Sequence, residues 1–185
     1  MKLIKPFNER LPKSKHIRNL FAVIVCLIYS WTLITSFYKL PSWLFYLNIG
    51  QVASIYAYSF VVDLVESILF TTLILFLGLI PFFILRDKDI FQSRSVIAAV
   101  ILLGSSMLRL VLFKDNENPG AFADWQLIWW GCTFLLAIFL AAITPKIKWL
   151  KNILEGFPER AVVFLYIYLP LSALSFIVVI FRNTF

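Results

Sequence analysis

The sequence predicts an all-α, polytopic integral membrane bundle of about five transmembrane helices, with short interfacial helices beside them. Three observations predict it. The chain is 61% hydrophobic and only 15% charged over 185 residues, whereas soluble domains average roughly 45–50% apolar and about 25% charged. Its mean hydropathy is +0.88, and its apolar residues gather into five long runs, each near the roughly 20 residues that cross about 30 Å of hydrocarbon. These runs also lack the alternation of apolar and polar residues that a membrane barrel strand shows, so they satisfy their backbone polar groups as helices.

The chain opens on a basic tail, residues 1–16, with Lys2, Lys5, Arg10, Lys13 and Lys15. Pro6 and Pro12 oppose a long helix there, and the tail is expected either along the cytoplasmic membrane surface or mobile. The first span covers 17–37. It reads as a retained anchor, because its apolar run exceeds the roughly 7–15 residues of a secretory signal. No small-residue cleavage site follows either, the sequence there being Thr35-Ser36-Phe37-Tyr38. Residues 41–50 are too few to cross again and rich in Trp and Tyr. They are expected to lie flat in the outer interface, with a re-entrant segment or part of an extra span as alternatives.

The second span lies within 52–85, where Gly78 and Pro81 are expected to kink it. The third covers 96–113 and the fourth 125–143. Trp125, Trp129 and Trp130 at the head of the fourth supply an aromatic belt. Between 145 and 158, Ile147, Leu150, Ile153, Leu154 and Phe157 recur at three- and four-residue spacing. That pattern predicts a short amphipathic interfacial helix whose Lys146, Lys148 and Lys151 meet lipid phosphates. The fifth span, 161–181, contains Pro170. No repeat or linker divides the chain, so 1–185 is read as one integral membrane domain.

The basic residues fix an orientation. Besides the tail and Arg18, the loop after span two holds Arg86, Lys88 and Arg94, and the loop after span four holds Lys146, Lys148, Lys151 and Arg160. The other side has only Lys39, Lys114 and Arg182. The positive-inside rule then puts the N-terminus in the cytoplasm and the C-terminus outside, in the plasma (inner) membrane. The net charge of +7 is thereby assigned to anionic lipid and not to nucleic acid.

Little chemistry is visible. The single histidine, His16, leaves no Ser-His or Cys-His unit and no His/Cys metal cluster. Cys26 and Cys132 are isolated, and no phosphate-binding glycine pattern occurs. No cofactor and no catalytic set is therefore expected. The candidate polar cluster is Asp63, Glu66 and Arg109, since ionisable groups inside lipid are costly. Two placements are open. Residues 67–85 are long enough to cross alone, which would leave both carboxylates in the outer interface. Alternatively, Arg109 on span three pairs with Asp63 on its antiparallel neighbour. Gly104 and Ser105 on span three, and Ala137 and Ala141 four apart on span four, mark candidate helix-packing seams.

The function that asks least of such a chain is non-catalytic. It is an accessory or assembly subunit that binds other membrane proteins, or itself, through its helix faces. The alternatives are a small transporter or channel subunit using Asp63, Glu66 and Arg109, and an outer-interface lipid-modifying enzyme or its membrane half.

Overall fold

The computed structural model describes residues 12–79, 90–113 and 125–184, which form five α-helices and one short 3-10 turn. They are α1 (Ser14–Tyr46), α2 (Ile49–Leu79), α3 (Phe91–Leu112), α4 (Gln126–Ile143), the 3-10 turn Thr144–Lys146, and α5 (Lys148–Thr184). All five helices are long and apolar enough to cross a membrane, so the protein is an all-α, multi-pass membrane bundle in a lipid bilayer.

α1 is the most buried helix. It packs against α2, α3 and α5, and Leu20, Ala22, Val23, Ile24, Val25 and Tyr29 on it are wholly buried. A helix apolar on every side can be surrounded in this way without stranding a polar face. The helix does not stop at Pro41 but runs through it to Tyr46. Residues 41–46 therefore continue α1 and do not lie flat as a separate segment.

Only Leu47 and Asn48 separate α1 from α2, and the local chemistry explains so tight a hairpin. The Asn48 side chain accepts from the Gln51 backbone N–H at 2.8 Å, while the Gln51 side chain accepts from the Asn48 N–H at 2.9 Å. This reciprocal capping box satisfies two donors at the head of α2 and starts the helix at once. Gly78 closes within α2, whereas Pro81 and the rest of the predicted span to residue 85 lie outside the described residues.

α3 begins at Phe91, five residues before the predicted 96, and Arg94 is therefore helical. Its first half is inserted between α1 and α5, where the Asn19 amide donates to the Gln92 side chain at 3.4 Å and Gln92 donates to the Glu155 carbonyl at 3.3 Å. α4 packs on α3 and on the 3-10 turn and sits outermost. The predicted interfacial helix is the beginning of α5, which is continuous through Pro158 and Pro170. Its buried residues fall at 154, 158, 161, 165, 168, 172 and 175. That alternation of four and three is a heptad seam facing α1 and α2.

Candidate functional site

One set of buried polar groups lies between α1, α2 and α5. On α2 the buried polar side chains are Asp63, Ser67 and Thr71, four residues apart and hence on one helix face. Each hydroxyl is tied to the backbone one turn back: Ser67 donates to the Asp63 carbonyl and Thr71 to the Ser67 carbonyl, both at 2.7 Å. Such back-bonds keep a hydroxyl satisfied inside an apolar environment.

Asp63 is 5% exposed. Thr32 of α1 donates to its Oδ1 at 2.8 Å. Its Oδ2 is buried and has no hydrogen-bond partner among the described residues. The Thr32 carbonyl in turn accepts from the hydroxyls of Thr35 and Ser36. The depth of this group follows from α1. Arg18 and Lys39 bracket a charge-free stretch, residues 19–38, which spans about 30 Å of helix. Thr32 lies seven residues short of Lys39, about 10 Å inside that stretch, and it carries Asp63 to the same depth.

One turn towards the N-terminus of α1, Tyr29 is fully buried. Its ring stacks on Tyr168 of α5 at 4.6 Å and on Phe60 of α2 at 5.8 Å between centroids. Its hydroxyl lies 3.1 Å from the Phe60 carbonyl and 2.5 Å from Ser172 Oγ, and Ser172 Oγ lies 2.8 Å from the Tyr168 carbonyl. These three contacts share two hydroxyl hydrogens. Either Tyr29 donates to Phe60 while Ser172 donates to Tyr29, or Tyr29 donates to Ser172 while Ser172 donates to Tyr168. The two arrangements interconvert by hydroxyl rotation alone. Beyond Phe60, the rings of Tyr56 and Trp43 continue an aromatic column towards the hairpin.

No family model, no curated protein and no solved structure matches the chain. The roles of its residues therefore rest on this geometry.

The predicted cluster is divided by the fold. Glu66, three residues after Asp63, is exposed on the outside of α2 beside Val62, Val65 and Leu69. Arg109 is buried on α3, and the helices against which α3 chiefly packs are α1, α4 and α5. No ion pair among the described residues joins Arg109 to Asp63 or Glu66. The proposed Arg109–Asp63 pair is thus absent, because α1 and α5 occupy the faces of α2 that α3 would need.

The four candidate packing residues, Gly104, Ser105, Ala137 and Ala141, lie on α3 and α4, which pack together. Ala137 and Ala141 are both 3% exposed. Ser105 Oγ meets Thr133 Oγ1 at 2.7 Å and accepts from Trp129 Nε1 at 2.9 Å. Gly104 is instead exposed, and an added Cβ there would meet nothing within 4 Å. It lines an apolar groove of about 670 Å³ between α3 and α4, together with Val100, Leu108, Cys132 and Leu136. The close approach of the helices comes one residue further round, at Ser105.

Among the lipid-phosphate candidates, Lys146 and Lys148 are exposed, while Lys151 is partly exposed and shares a 3.7 Å ion pair with Glu155. Nearby, Lys15 of α1 and Glu159 of α5 form a 2.7 Å ion pair. The hydrogen bond and charge of Lys15 hold the Glu159 carboxyl below the ordinary glutamate range.

Thr32, Tyr29, Ser67 and Thr71 were not singled out by sequence reasoning. The signal that would have found them is the four-residue spacing of polar residues at 63, 67 and 71 in an aliphatic run, with the small and polar heptad positions of α5.

Proposed function

We propose that the chain is a non-catalytic membrane subunit that joins another membrane protein, or a second copy of itself, through the outward face of α2. The observation that carries this reading is Glu66. It projects from a helix face otherwise made of Val62, Val65, Leu69 and Leu73, all about half exposed or more. It lies one turn deeper in the span than Asp63, in the direction away from the hairpin. A carboxylate facing hydrocarbon is costly, by roughly 2.5–3.5 kcal/mol on insertion scales. A hydrogen-bond donor or a cation on a neighbouring helix removes that cost, so the face is complete only when another span covers it.

The orientation expected from the sequence accompanies this reading. Lys13, Lys15, Arg18, Arg94, Lys146, Lys148, Lys151 and Arg160 belong to one end of the bundle, and Lys39 and Arg182 to the other. This bias supports a cytoplasmic N-terminus and an outside C-terminus in the plasma membrane.

The test is native electrophoresis of the protein from its own membrane after mild solubilisation. The wild type is expected in a complex larger than the monomer, and Glu66→Leu is expected to release the monomer with its unfolding midpoint in detergent unchanged or raised. A wild-type monomer, or a complex indifferent to Glu66→Leu, refutes the reading.

A further inference from the structure

We propose that Asp63 is a proton-binding site: a carboxylic acid held neutral between α1, α2 and α5 that exchanges its proton with water through the polar seam. Asp63 lies in the interior of the bundle, apart from the outward face that carries Glu66.

The two carboxyl oxygens of Asp63 are unequally satisfied. Oδ1 receives one hydrogen bond, from Thr32, and Oδ2 is buried with no partner among the described residues. An ionised carboxylate in that position would leave half of its charge unsolvated, a state that buried groups avoid by taking up a proton. What faces Asp63 does not supply a countercharge. From α1 come the Thr32 hydroxyl and the Tyr29 phenol, and the Tyr29 hydroxyl is itself met by Ser172 of α5. On α2 itself, Glu66 is of like charge and turned outward, and Ser67 and Thr71 are committed to their own backbone. No basic side chain among the described residues forms an ion pair with Asp63.

The same inventory selects a proton over a metal ion. Hard cations gather about six or more oxygen ligands, several of them carboxylate or carbonyl. The described residues contain no grouping of three His, Cys, Asp or Glu side chains, and Asp63 is the one carboxylate at this place. A proton needs one oxygen, and Oδ2 is that oxygen. On release, the Oδ2–H bond breaks, its electron pair stays on the carboxylate and the proton passes to water. The transient charge is met by hydroxyls that can turn. Thr32 already points at the site, and the Tyr29–Ser172 chain has two arrangements available without moving a heavy atom. The direction of exchange is set by packing. Phe60, Tyr56 and Trp43 stack on the hairpin side, whereas Ser67 and Thr71 carry the polar stripe towards the basic end.

Infrared difference spectroscopy of the full chain in lipid bilayers, recorded as pH is stepped, tests this. The wild type is expected to show a protonated-carboxyl C=O band that shifts in D₂O and diminishes reversibly as pH rises. The band is expected to persist in Glu66→Gln and to vanish in Asp63→Asn. Should Asp63→Asn fail to fold, aspartate carrying ¹³C at the side-chain carboxyl moves the band in the otherwise wild-type protein, and Asp63→Glu removes that isotope shift. Three results overturn the proposal: no such band at any pH, a band that neither exchanges with D₂O nor titrates, or a band displaced by sodium ions at constant pH.

Discussion

Replacing Tyr29 with Phe removes one hydroxyl from the centre of the bundle and leaves the ring in place. The expected cost is small, because no group is orphaned by the change. The Phe60 carbonyl remains in the helical ladder of α2. Ser172 keeps its 2.8 Å bond to the Tyr168 carbonyl. Interhelical hydrogen bonds in membranes average about 0.6 kcal/mol and reach about 1.7 kcal/mol, so Tyr29→Phe is expected to lose about 1 kcal/mol. Tyr29→Ala is a different perturbation. It deletes a wholly buried ring stacked on Phe60 and Tyr168, and the cavity left behind sets its cost at about 3–5 kcal/mol. Ser172→Ala alone should match Tyr29→Phe, and the double variant should fall short of the sum by about 0.5–1 kcal/mol, because both substitutions break the same contact. The assay is reversible unfolding in mixed micelles, followed through a double-mutant cycle. Additive effects for the pair, or a Tyr29→Phe cost equal to that of Tyr29→Ala, would refute the shared-hydrogen arrangement.

At the α3–α4 seam, Ala137→Leu is expected to cost about 1–3 kcal/mol by overpacking, while Gly104→Ala, set in open space, is neutral or gains up to about 1 kcal/mol of helix propensity. Thermal midpoints of the two variants in one detergent decide this, and equal destabilisation would contradict the seam. Asn48→Ala removes half of the capping box and should cost about 1 kcal/mol. Amide exchange at 49–52 is expected to quicken while that at 20–29 does not. The Lys15–Glu159 tie has a signed pH dependence. Because the folded Glu159 carboxyl is held below its usual range, the contact contributes fully above the ordinary glutamate value and is lost as pH falls through the lowered one. Distance measurements between labels at Ser14 and Arg160 should lengthen only in acid, and a pH-independent distance in wild type, or the same acid response in Lys15→Met, would count against it.

Part of the site was legible in the sequence and part was not. Asp63, Glu66 and Arg109 were conspicuous as charges in apolar runs, and Ala137 and Ala141 as small residues one turn apart. Their relations were not. Asp63 and Glu66 are three residues apart and share a broad helix face, yet one is sealed inside and the other turned outward. A linear pattern of Val, Leu and Ile on both sides gives no reason to prefer either. Arg109 looked like a partner because spans adjacent in sequence were assumed adjacent in space, and α2 in fact spends its two faces on α1 and α5. The capping pair Asn48 and Gln51 was readable in principle, but an interfacial reading of the aromatic residues around it obscured the signal.

The sequence by itself determined the class of object, the number of apolar helices and their approximate places. These follow from length, local composition and the demand that backbone hydrogen bonds close within each span, all of which are properties of single segments. Only the tertiary structure decided that α1 is the most buried helix, that α4 stays outermost, and that Thr32 rather than Arg109 meets Asp63. In water, burial is announced by hydrophobicity. In a membrane the surroundings are as apolar as the core, so the inside of the bundle is chosen by close packing and by the few polar groups that must find one another.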